Sequence, residues 1–282
     1  MDKLWMVIAL VCVYGGLFIL ERRFPLRTAL HPGIKRLSTN ILMTVLVIGV
    51  VQITVAPTVQ ATMALSQSTH FGLINLLKMP SWLALIVGFL LLDLSFYYWH
   101  KINHKIPLLW RFHNVHHVDQ DLDVTTAMRF HWGEIAYSSV FRLIQLILLG
   151  VTPITLILYE FIFQLCTFFH HSNLRLPKRF ETVLGLLLIT PRIHGIHHSN
   201  YRQETDSNYG VVLSIWDRLH RTLKRSIPQQ TITIGVPAYD KTTDNQFNQL
   251  LLLPFKAQRN YWLTSENQPH EQRGVVSNSS YR

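Results

Sequence analysis

One histidine pattern occurs twice in this sequence, and it is the feature best suited to chemistry. Residues 113–117 read "HNVHH" and residues 194–198 read "HGIHH". On a helix, positions i, i+3 and i+4 lie on one side. Each copy therefore predicts a helix that presents three imidazoles (His113, His116 and His117; His194, His197 and His198). Neutral imidazole is a common metal ligand, so the two faces indicate a metal site.

A pair of histidines precedes the two triplets. "HKINH" places His100 and His104 one helical turn apart, directly after the aromatic residues "YYW" at positions 97–99. The pair and the triplets together make eight imidazoles, which is more than a single ion uses. The spacing predicts two metal ions with about four protein nitrogens each and open positions for a substrate such as O₂. Imidazole ligands without thiolates suit iron, zinc, copper or nickel.

Four more side chains are predicted to act near this metal site. His171 and then His131 are the next candidate ligands, and His170 is predicted to support its neighbour. Asp93 lies seven residues before His100 on the same helix face. An acid inside a membrane span is costly unless it has a partner, so we predict that Asp93 accepts the free N–H of a ligand imidazole. No catalytic residue is predicted beyond the metal ligands.

The alternative interpretation of the histidine cluster is a basic face that senses pH or binds lipid headgroups. Such a face predicts loosely spaced histidines mixed with Lys and Arg. It does not predict two identical triplets, so the spacing favours metal ligation.

The composition indicates an integral membrane protein. Of 282 residues, 49% are hydrophobic and only 15% are charged. The formal net charge is +10, but the basic residues flank apolar segments instead of lining an aromatic groove. We interpret this charge as membrane topology and contact with anionic lipid, not as nucleic-acid binding. Cys12 and Cys166 both lie in apolar stretches, which excludes a disulfide framework and a cysteine-based metal site.

Four apolar regions are long enough to enter a bilayer: Leu4–Leu20, Ile41–Ala56, Trp82–Trp99 and Ile135–Phe169. The first has no small-residue cleavage site after it, so it predicts an uncleaved span and not a signal peptide. The last predicts either two spans or a re-entrant hairpin that folds at Gly150–Pro153. The overall prediction is an all-α integral membrane helical bundle with a cytosol-facing, histidine-rich di-metal cap.

The distribution of basic residues predicts the orientation. Five Lys and Arg residues separate the first two apolar regions, whereas Lys78 is the only one between the second and the third. The positive-inside rule therefore places the histidine-rich part on the cytoplasmic side of a multi-pass protein, in a bacterial inner membrane or the endoplasmic reticulum. The membrane domain is predicted at residues 1–226. Residues 227–282 form a polar C-terminal segment with a disordered tail, in which "LLLLPF" (250–255) docks on the body or the membrane surface.

Five segments around the histidines occur in a familiar order: "LLWRFHNVHH", "TTAMRFHWGE", "FFHHSNLRLP", "TPRIHGIHHS" and "DSNYGVVLSIWDRL". With "HKINH" they resemble the fatty acid hydroxylase/sterol desaturase superfamily of membrane di-iron enzymes. The resemblance covers roughly residues 92–219. One departure is visible after "WDRL", where "HRT" (220–222) stands in place of the family's usual Phe-Gly-Thr.

The resemblance implies an activity and its cofactors. Two iron ions, with zinc possible in the purified protein, and O₂ as co-substrate would hydroxylate or desaturate an unactivated C–H bond of a lipid. Electrons would come from an external cytochrome b5, ferredoxin or flavoprotein reductase. By motif, the pair and both triplets carry over as ligands, followed by His131 and His171.

Two other functions remain as alternatives at this point. A zinc-dependent membrane hydrolase requires a free glutamate base, for which Glu134 and Glu160 are the candidates. A histidine-based metal transporter predicts ligands in the middle of spans, whereas these histidines follow an aromatic belt. The sequence leaves open the lipid, the position oxidised, the electron donor and the oligomeric state.

Overall fold

A computed structural model describes residues 4–31, 33–266, 268 and 270. Within these residues the fold is helical, and extended pairing is limited to isolated bridges. Most of the predicted disordered tail lies outside the described residues. The α-helices are α1 (Leu4–Arg23), α2 (Ile34–Val50), α3 (Ala56–Thr69), α4 (Leu73–Leu76), α5 (Ser81–Lys105), α6 (Pro107–His117), α7 (Trp132–Leu149), α8 (Pro153–His171), α9 (Lys178–Leu184), α10 (Pro191–His197), α11 (Arg202–Thr205), α12 (Ile215–Leu219) and α13 (Phe247–Leu252).

Five helical stretches of the described chain are long and apolar enough to cross a membrane: 4–23, 34–76, 81–105, 132–149 and 153–171. The predicted all-α membrane bundle is confirmed. The shortest of these stretches has 18 residues, which at 1.5 Å per residue reaches about 27 Å, close to the thickness of a bilayer core.

The second span is longer than the sequence predicted. We placed its end at Ala56, before Pro57, but the helix continues through a π-helical turn at Val51–Val55 into α3. Proline lacks an N–H and crowds the turn before it, and this normally ends or kinks a helix. Here the wider π turn precedes Pro57, which occupies the first turn of α3 and therefore does not end the helix.

The predicted turn at Gly150–Pro153 is confirmed, and of the two alternatives the structure favours two spans, because α7 and α8 are each long enough to cross a membrane. α7 ends at Leu149, Gly150 adopts a left-handed conformation with φ 62°, and α8 begins at Pro153. The Thr152 hydroxyl caps α8 by accepting the N–H of Thr155 at 3.3 Å. Gly150 also lies so close to Gly72 that neither position has room for a Cβ. This contact fixes the turn against the segment that follows α3.

Polar side chains inside the bundle have partners. Arg142 of α7 pairs with Glu160 of α8 and donates to the Gln145 side chain at 2.6 Å. Gln145 in turn donates to the Ser95 hydroxyl of α5 at 2.5 Å. Charged groups at membrane depth require such pairing because lipid offers no compensating hydrogen bonds. The network joins three spans beneath the histidine-rich end.

The chain after α6 is anchored to the second span by a buried ion-pair network. Arg36 of α2 donates to Asp119 at 2.8 Å and to Asp123 at 2.6 Å. Burial alone would raise the pKa of Asp119, but Arg36 and Arg129 lower it to about 2. The carboxylate therefore stays charged and fixes the C-terminal end of α6 against α2.

The C-terminal segment packs on the body of the protein. Leu250 and Leu253, from the "LLLLPF" stretch, are buried in one apolar cluster with Trp110 and Val115 of α6. Of the two docking sites that the sequence left open, the structure therefore places this stretch against the body. Arg111 strengthens the contact by donating to the Lys256 carbonyl at 2.9 Å. The part of the C-terminal segment from Val236 to Trp262 thus supplies the apolar side chains that pack against α6.

Candidate metal centre

Nine histidines converge in two adjacent groups at the end of the bundle. In each group the candidate ligand atoms lie within 4.8 Å of one another. Group one consists of His100, His104, His113, His117 and His197. Group two consists of His116, His171, His194 and His198. The structure thus brings together the predicted pair, both triplets and His171.

Each triplet contributes histidines to both groups. The sequence instead predicted that the three histidines of a triplet present one common face to the metal pair. In α6, His113 and His117 face group one while His116 faces group two. In the second triplet the division is reversed: the middle histidine, His197, faces group one, and His194 and His198 face group two. Positions i+3 and i+4 are about 100° apart around a helix, so neighbouring histidines on one broad side can face different centres. The two short helices thereby tie the groups together.

α10 begins as the sequence indicated. Pro191 is at its first position, and the Thr190 side chain caps it by accepting the N–H of Ile193 at 3.4 Å. Glycine at position 195, the first spacer of "HGIHH", leaves room for the guanidinium of Arg27, which a Cβ there would displace. Arg27 crosses the back of α10 and donates to Gln229 Oε1 at 2.6 Å.

Acceptors outside group one hold the imidazoles in a fixed orientation. His100 Nδ1 donates to the Tyr209 carbonyl at 2.8 Å, and His197 Nδ1 donates to the Ser207 carbonyl at 2.7 Å. His113 Nδ1 lies 2.8 Å from Glu134 Oε1. A backbone carbonyl can only accept, so in the rings of His100 and His197 Nδ1 carries the proton and Nε2 carries a lone pair. Such partners are typical of metal-binding histidines.

Four of the five Nε2 atoms of group one make no hydrogen bond within the described chain. In His104, His113, His117 and His197, Nε2 is buried and has no hydrogen-bond partner within the described chain. Buried polar atoms without partners are rare and costly in folded proteins. Four such atoms around one point fit a bound cation, which would satisfy all of them.

Group two gives the same result by a different observation. His171 Nε2 lies 3.0 Å from His116 Nε2 and 3.0 Å from His194 Nε2. His116 Nδ1 donates to the Arg129 carbonyl at 3.2 Å, and His171 Nδ1 donates to the Thr167 carbonyl at 2.8 Å. The facing Nε2 atoms of His116 and His171 therefore both carry lone pairs and cannot bond to each other. A cation between them resolves this repulsion.

The electrostatic environment keeps these rings neutral. Burial, followed by the proximity of other histidines, lowers the pKa of His116, His117, His194, His197 and His198 well below the ordinary value. Neutral imidazole is the form that binds metal, so no proton must be removed before an ion enters near neutral pH.

His131 and His170 occupy other positions. His131 lies outside both groups: its Nδ1 accepts the N–H of Gly133 at 2.9 Å, which caps α7, and its Nε2 donates to the Leu251 carbonyl at 3.1 Å. His170 is buried between neighbouring rings and donates to the Val211 carbonyl at 3.1 Å. The position of His170 suits the predicted support of its neighbour.

Asp93 has a different partner from the one that the sequence predicted. Its carboxylate accepts from Trp216 Nε1 at 2.7 Å and from the Leu213 N–H at 3.0 Å, and Tyr159 lies 3.4 Å away. No imidazole is among its hydrogen-bond partners in the described chain. Asp93 instead fastens the segment before α12 to the span, and this segment carries the Tyr209 carbonyl. Asp93 accepts hydrogen bonds, as predicted, but its donors are an indole and a backbone N–H and not an imidazole.

Two features of the site were not assigned from the sequence. Glu134 was left between ligand support, a hydrolase base and a surface loop, and the structure places it beside His113. "DSNYG" was interpreted as a turn, yet its Ser207 and Tyr209 carbonyls orient two imidazoles. Asp217 shapes that turn by accepting the N–H groups of Tyr209 and Gly210 at 2.9 and 2.7 Å. Backbone carbonyls leave no signal in side-chain spacing.

Comparisons with known proteins identify the domain that contains these groups. Residues 85–222 match the family described as fatty acid hydroxylase. The chain is 28% identical over 244 residues to the ornithine lipid hydroxylase of Rhizobium tropici, which covers 84% of this chain and 72% of that protein. It is 29% identical over 146 residues to the alkylglycerol monooxygenase of Homo sapiens, 49% of this chain and 30% of that protein.

A third relative is the cholesterol 25-hydroxylase of Homo sapiens, 26% identical over 142 residues, or 49% of this chain and 51% of that protein. No solved structure matches the chain. The named relatives are lipid hydroxylases or monooxygenases, and the matched region contains all nine converging histidines. Residues 85–222 of the chain therefore form a fatty acid hydroxylase domain, which contains both histidine groups.

Proposed function

We propose that this protein is a membrane-bound di-iron oxygenase that hydroxylates a C–H bond of a lipid with O₂. The observation that carries the proposal is the pair of buried histidine groups: four Nε2 atoms of group one have no hydrogen-bond partner in the described chain, and the Nε2 atoms of group two face one another. They lie in a domain whose relatives act on lipids. Group one would hold one iron ion and group two the other.

Bound iron supplies the activation of O₂ and the oxidation of the C–H bond. The protein's own residues supply position and environment. Ser207, Tyr209 and Glu134 hold three rings of group one so that Nε2 points inward. The Arg129 and Thr167 carbonyls do the same for two rings of group two. Burial of these rings excludes water, which strengthens each electrostatic interaction at the site.

The relatives favour hydroxylation over desaturation. Their names describe oxygen insertion: an ornithine lipid hydroxylase, an alkylglycerol monooxygenase and a cholesterol 25-hydroxylase. The relative that covers most of this chain acts on ornithine lipid by name, so an ornithine-type aminolipid is the substrate class to test first.

Orientation and electron supply complete the proposal. The basic loop between α1 and α2 favours a cytoplasmic location for the histidine groups. The sequence contains no dinucleotide fingerprint or phosphate-binding glycine loop, so electrons would come from a separate cytochrome b5, ferredoxin or flavoprotein reductase. A cytoplasmic metal centre suits contact with such a soluble donor.

The position of Glu134 weighs against the hydrolase alternative. Glu134 Oε1 lies 2.8 Å from His113 Nδ1, whereas Oε2 is buried and has no hydrogen-bond partner in the described chain. A hydrolase base would instead have to face the open coordination position of the metal. The position of Glu134 therefore supports a structural role at the metal centre.

The test is a comparison of lipid extracts by mass spectrometry. Cells that express the wild-type protein should contain a lipid that has gained one oxygen atom, and cells that express His116→Ala or His197→Ala should not. All three proteins should be present in the membrane in equal amounts. A lipid that has lost two hydrogens would overturn hydroxylation, and an unchanged lipidome with iron-loaded protein would overturn the proposal as a whole.

A further inference from the structure

A chain of aromatic rings connects group one with the outer face of the C-terminal segment. Trp110 of α6 is buried, and its ring lies 4.8 Å from the ring of His104 and 5.3 Å from that of His117, centroid to centroid. On its other side it stacks with Trp262 at 6.4 Å and an interplanar angle of 21°. Tyr261 lies 5.9 Å from it. Trp262 and Tyr261 are both partly exposed.

This chain leads to one metal group only. Within the described residues, the rings of group two contact other histidines and Phe130, and none of them contacts a Trp or Tyr ring. A second aromatic route from group one runs through Tyr209 to Tyr97 and then Tyr98. That route returns to the aromatic end of the α5 span. The Trp110 route is the one that leads to the C-terminal segment.

The outer end of the chain carries uncompensated positive charge. Arg111 lies next to Trp110 and donates to a backbone carbonyl, and Lys256 donates to the Gln249 side chain at 2.5 Å. Neither cation pairs with a carboxylate in the described part of the protein. Arg259, in contrast, is neutralised by Asp244 at 2.8 Å. A partner with an acidic surface fits this face because complementary charge speeds association and fixes register.

We propose that an acidic one-electron carrier protein docks on the face formed by Arg111, Lys256, Tyr261 and Trp262, and that Trp110 conducts its electrons to group one. The proposal rests on the proposed function, since it concerns delivery to the same iron centre. Electron tunnelling falls off exponentially with distance and is faster through contacting π systems than across saturated side chains. The contacts from Trp262 through Trp110 to His104 provide that path.

The electron balance fixes what the donor must supply. Hydroxylation converts one C–H, one O₂, two electrons and two protons into one C–OH and one water. Each carrier molecule would give up one electron, and each iron would need one. One of the two electrons would therefore pass from group one to group two, where the His198 ring stacks on that of His117 at 4.3 Å. Two donor encounters are therefore needed per turnover, so the complex must dissociate rapidly. A partly polar, charge-steered face suits such a transient contact.

The test measures reduction and binding in the absence of O₂. Iron(III)-loaded protein is mixed with saturating reduced ferredoxin or reduced cytochrome b5, and the absorbance change gives the reduction rate. Trp110→Leu should slow this rate several-fold at unchanged iron content, and Trp110→Phe, which keeps a ring, should restore most of it. Trp132→Leu is the matched control: Trp132 is 39% exposed and contacts Phe255 of the same segment, but none of the nine histidines.

Binding of the carrier to the metal-free protein provides a second readout. Trp262→Ala should weaken binding about thirtyfold, as expected for a tryptophan anchor at an interface. Lys256→Glu should lower the association rate and its dependence on salt. Reduction by dithionite should be unaffected in both variants.

The possible failures are distinguishable. If Trp110→Leu is reduced at the wild-type rate, the conduction path is wrong. If Trp262→Ala and Lys256→Glu bind the carriers as the wild type does, the docking face is wrong. If neither carrier nor dithionite reduces the iron of the wild-type protein, the proposed oxygenase function itself fails.

Discussion

In both histidine groups, the hydrogen bond that one imidazole nitrogen makes decides where the other nitrogen of that ring points. In group one, the Ser207 and Tyr209 carbonyls accept from Nδ1 and leave Nε2 free to bind. His113 differs, because its partner is the carboxylate of Glu134. An imidazole whose N–H is bound to a carboxylate is a stronger metal ligand than an imidazole whose N–H is bound to a carbonyl. Glu134 is therefore the side chain outside the ligand set with the largest expected effect on the metal.

Variants of Glu134 distinguish orientation from catalysis. Glu134→Leu removes the acceptor for His113 Nδ1 and should lower metal affinity about 10–100-fold. Glu134→Gln keeps an acceptor oxygen and should retain most metal and most activity. Metal titration and lipid turnover check both variants. Loss of activity in Glu134→Gln at full metal occupancy would indicate a proton-transfer role and contradict the orienting one.

Variants of His131 and His171 test the ligand assignment directly. His171→Ala removes a ligand of group two and should lower bound metal by one ion per chain. His131→Asn removes a ring that lies outside both groups, while its side-chain oxygen can still cap α7. It should therefore keep the wild-type metal content. Elemental analysis of the purified proteins measures the metal content. Loss of metal in His131→Asn would show that His131 is a metal ligand.

Among the structural elements, the segment between α11 and α12 matters most for the site. It presents the Ser207 and Tyr209 carbonyls to group one, and Asp93 in the α5 span holds it in place by accepting the N–H of Leu213. Asp93→Ala would leave the N–H groups of Leu213 and Trp216 without their acceptor. Each unpaired buried donor costs about 1–3 kcal/mol.

We therefore expect Asp93→Ala to lower both thermal stability and metal affinity, although Asp93 bonds to no histidine. Thermal unfolding in detergent and metal titration measure the two effects. Asp240→Ala, at an exposed position, is the control and should change neither. Wild-type metal affinity in Asp93→Ala would show that the segment holds its position without the tether.

Sequence periodicity predicted which histidines converge better than how they are divided between the two groups. The spacing of the triplets identified all six of their histidines, because i, i+3 and i+4 repeat on a helix whatever surrounds it. The division between the two groups depends on how α5, α6, α8 and α10 are placed relative to one another. The spacing of residues along a single helix does not contain that information. The partner of Asp93 lies 123 residues away in sequence, at Trp216, so spacing could not find it. Pro57 misled the prediction of α2 because the π turn before it depends on packing.

For the whole molecule, the fold separates the metal groups from the opposite ends of the spans. The Gly150 turn contacts Gly72, so the ends of α3 and α7 meet at one side. The histidine groups, α6 and the C-terminal segment lie together at the other side. The net charge of the first loop then predicts which side faces the cytoplasm.

Cysteine labelling tests this orientation. In a chain with Cys12→Ser and Cys166→Ser, a cysteine at exposed Thr242 should react with an impermeant maleimide only from the cytoplasmic side. A cysteine at exposed Ser68 should react only from the opposite side. Labelling of both positions from one side would contradict the five-span arrangement, and exchange of the two results would reverse the orientation.

The most direct test of the central claim follows the oxygen atom. Iron-loaded protein in lipid vesicles that contain ornithine lipid and other membrane lipids is supplied with a reduced carrier protein and oxygen-18 gas. We predict a hydroxylated lipid that carries one oxygen-18 atom, formed in proportion to the iron content and absent in His116→Ala and His197→Ala. A product whose new oxygen comes from water, or no product from protein with both metal groups filled, would contradict an O₂-dependent hydroxylase.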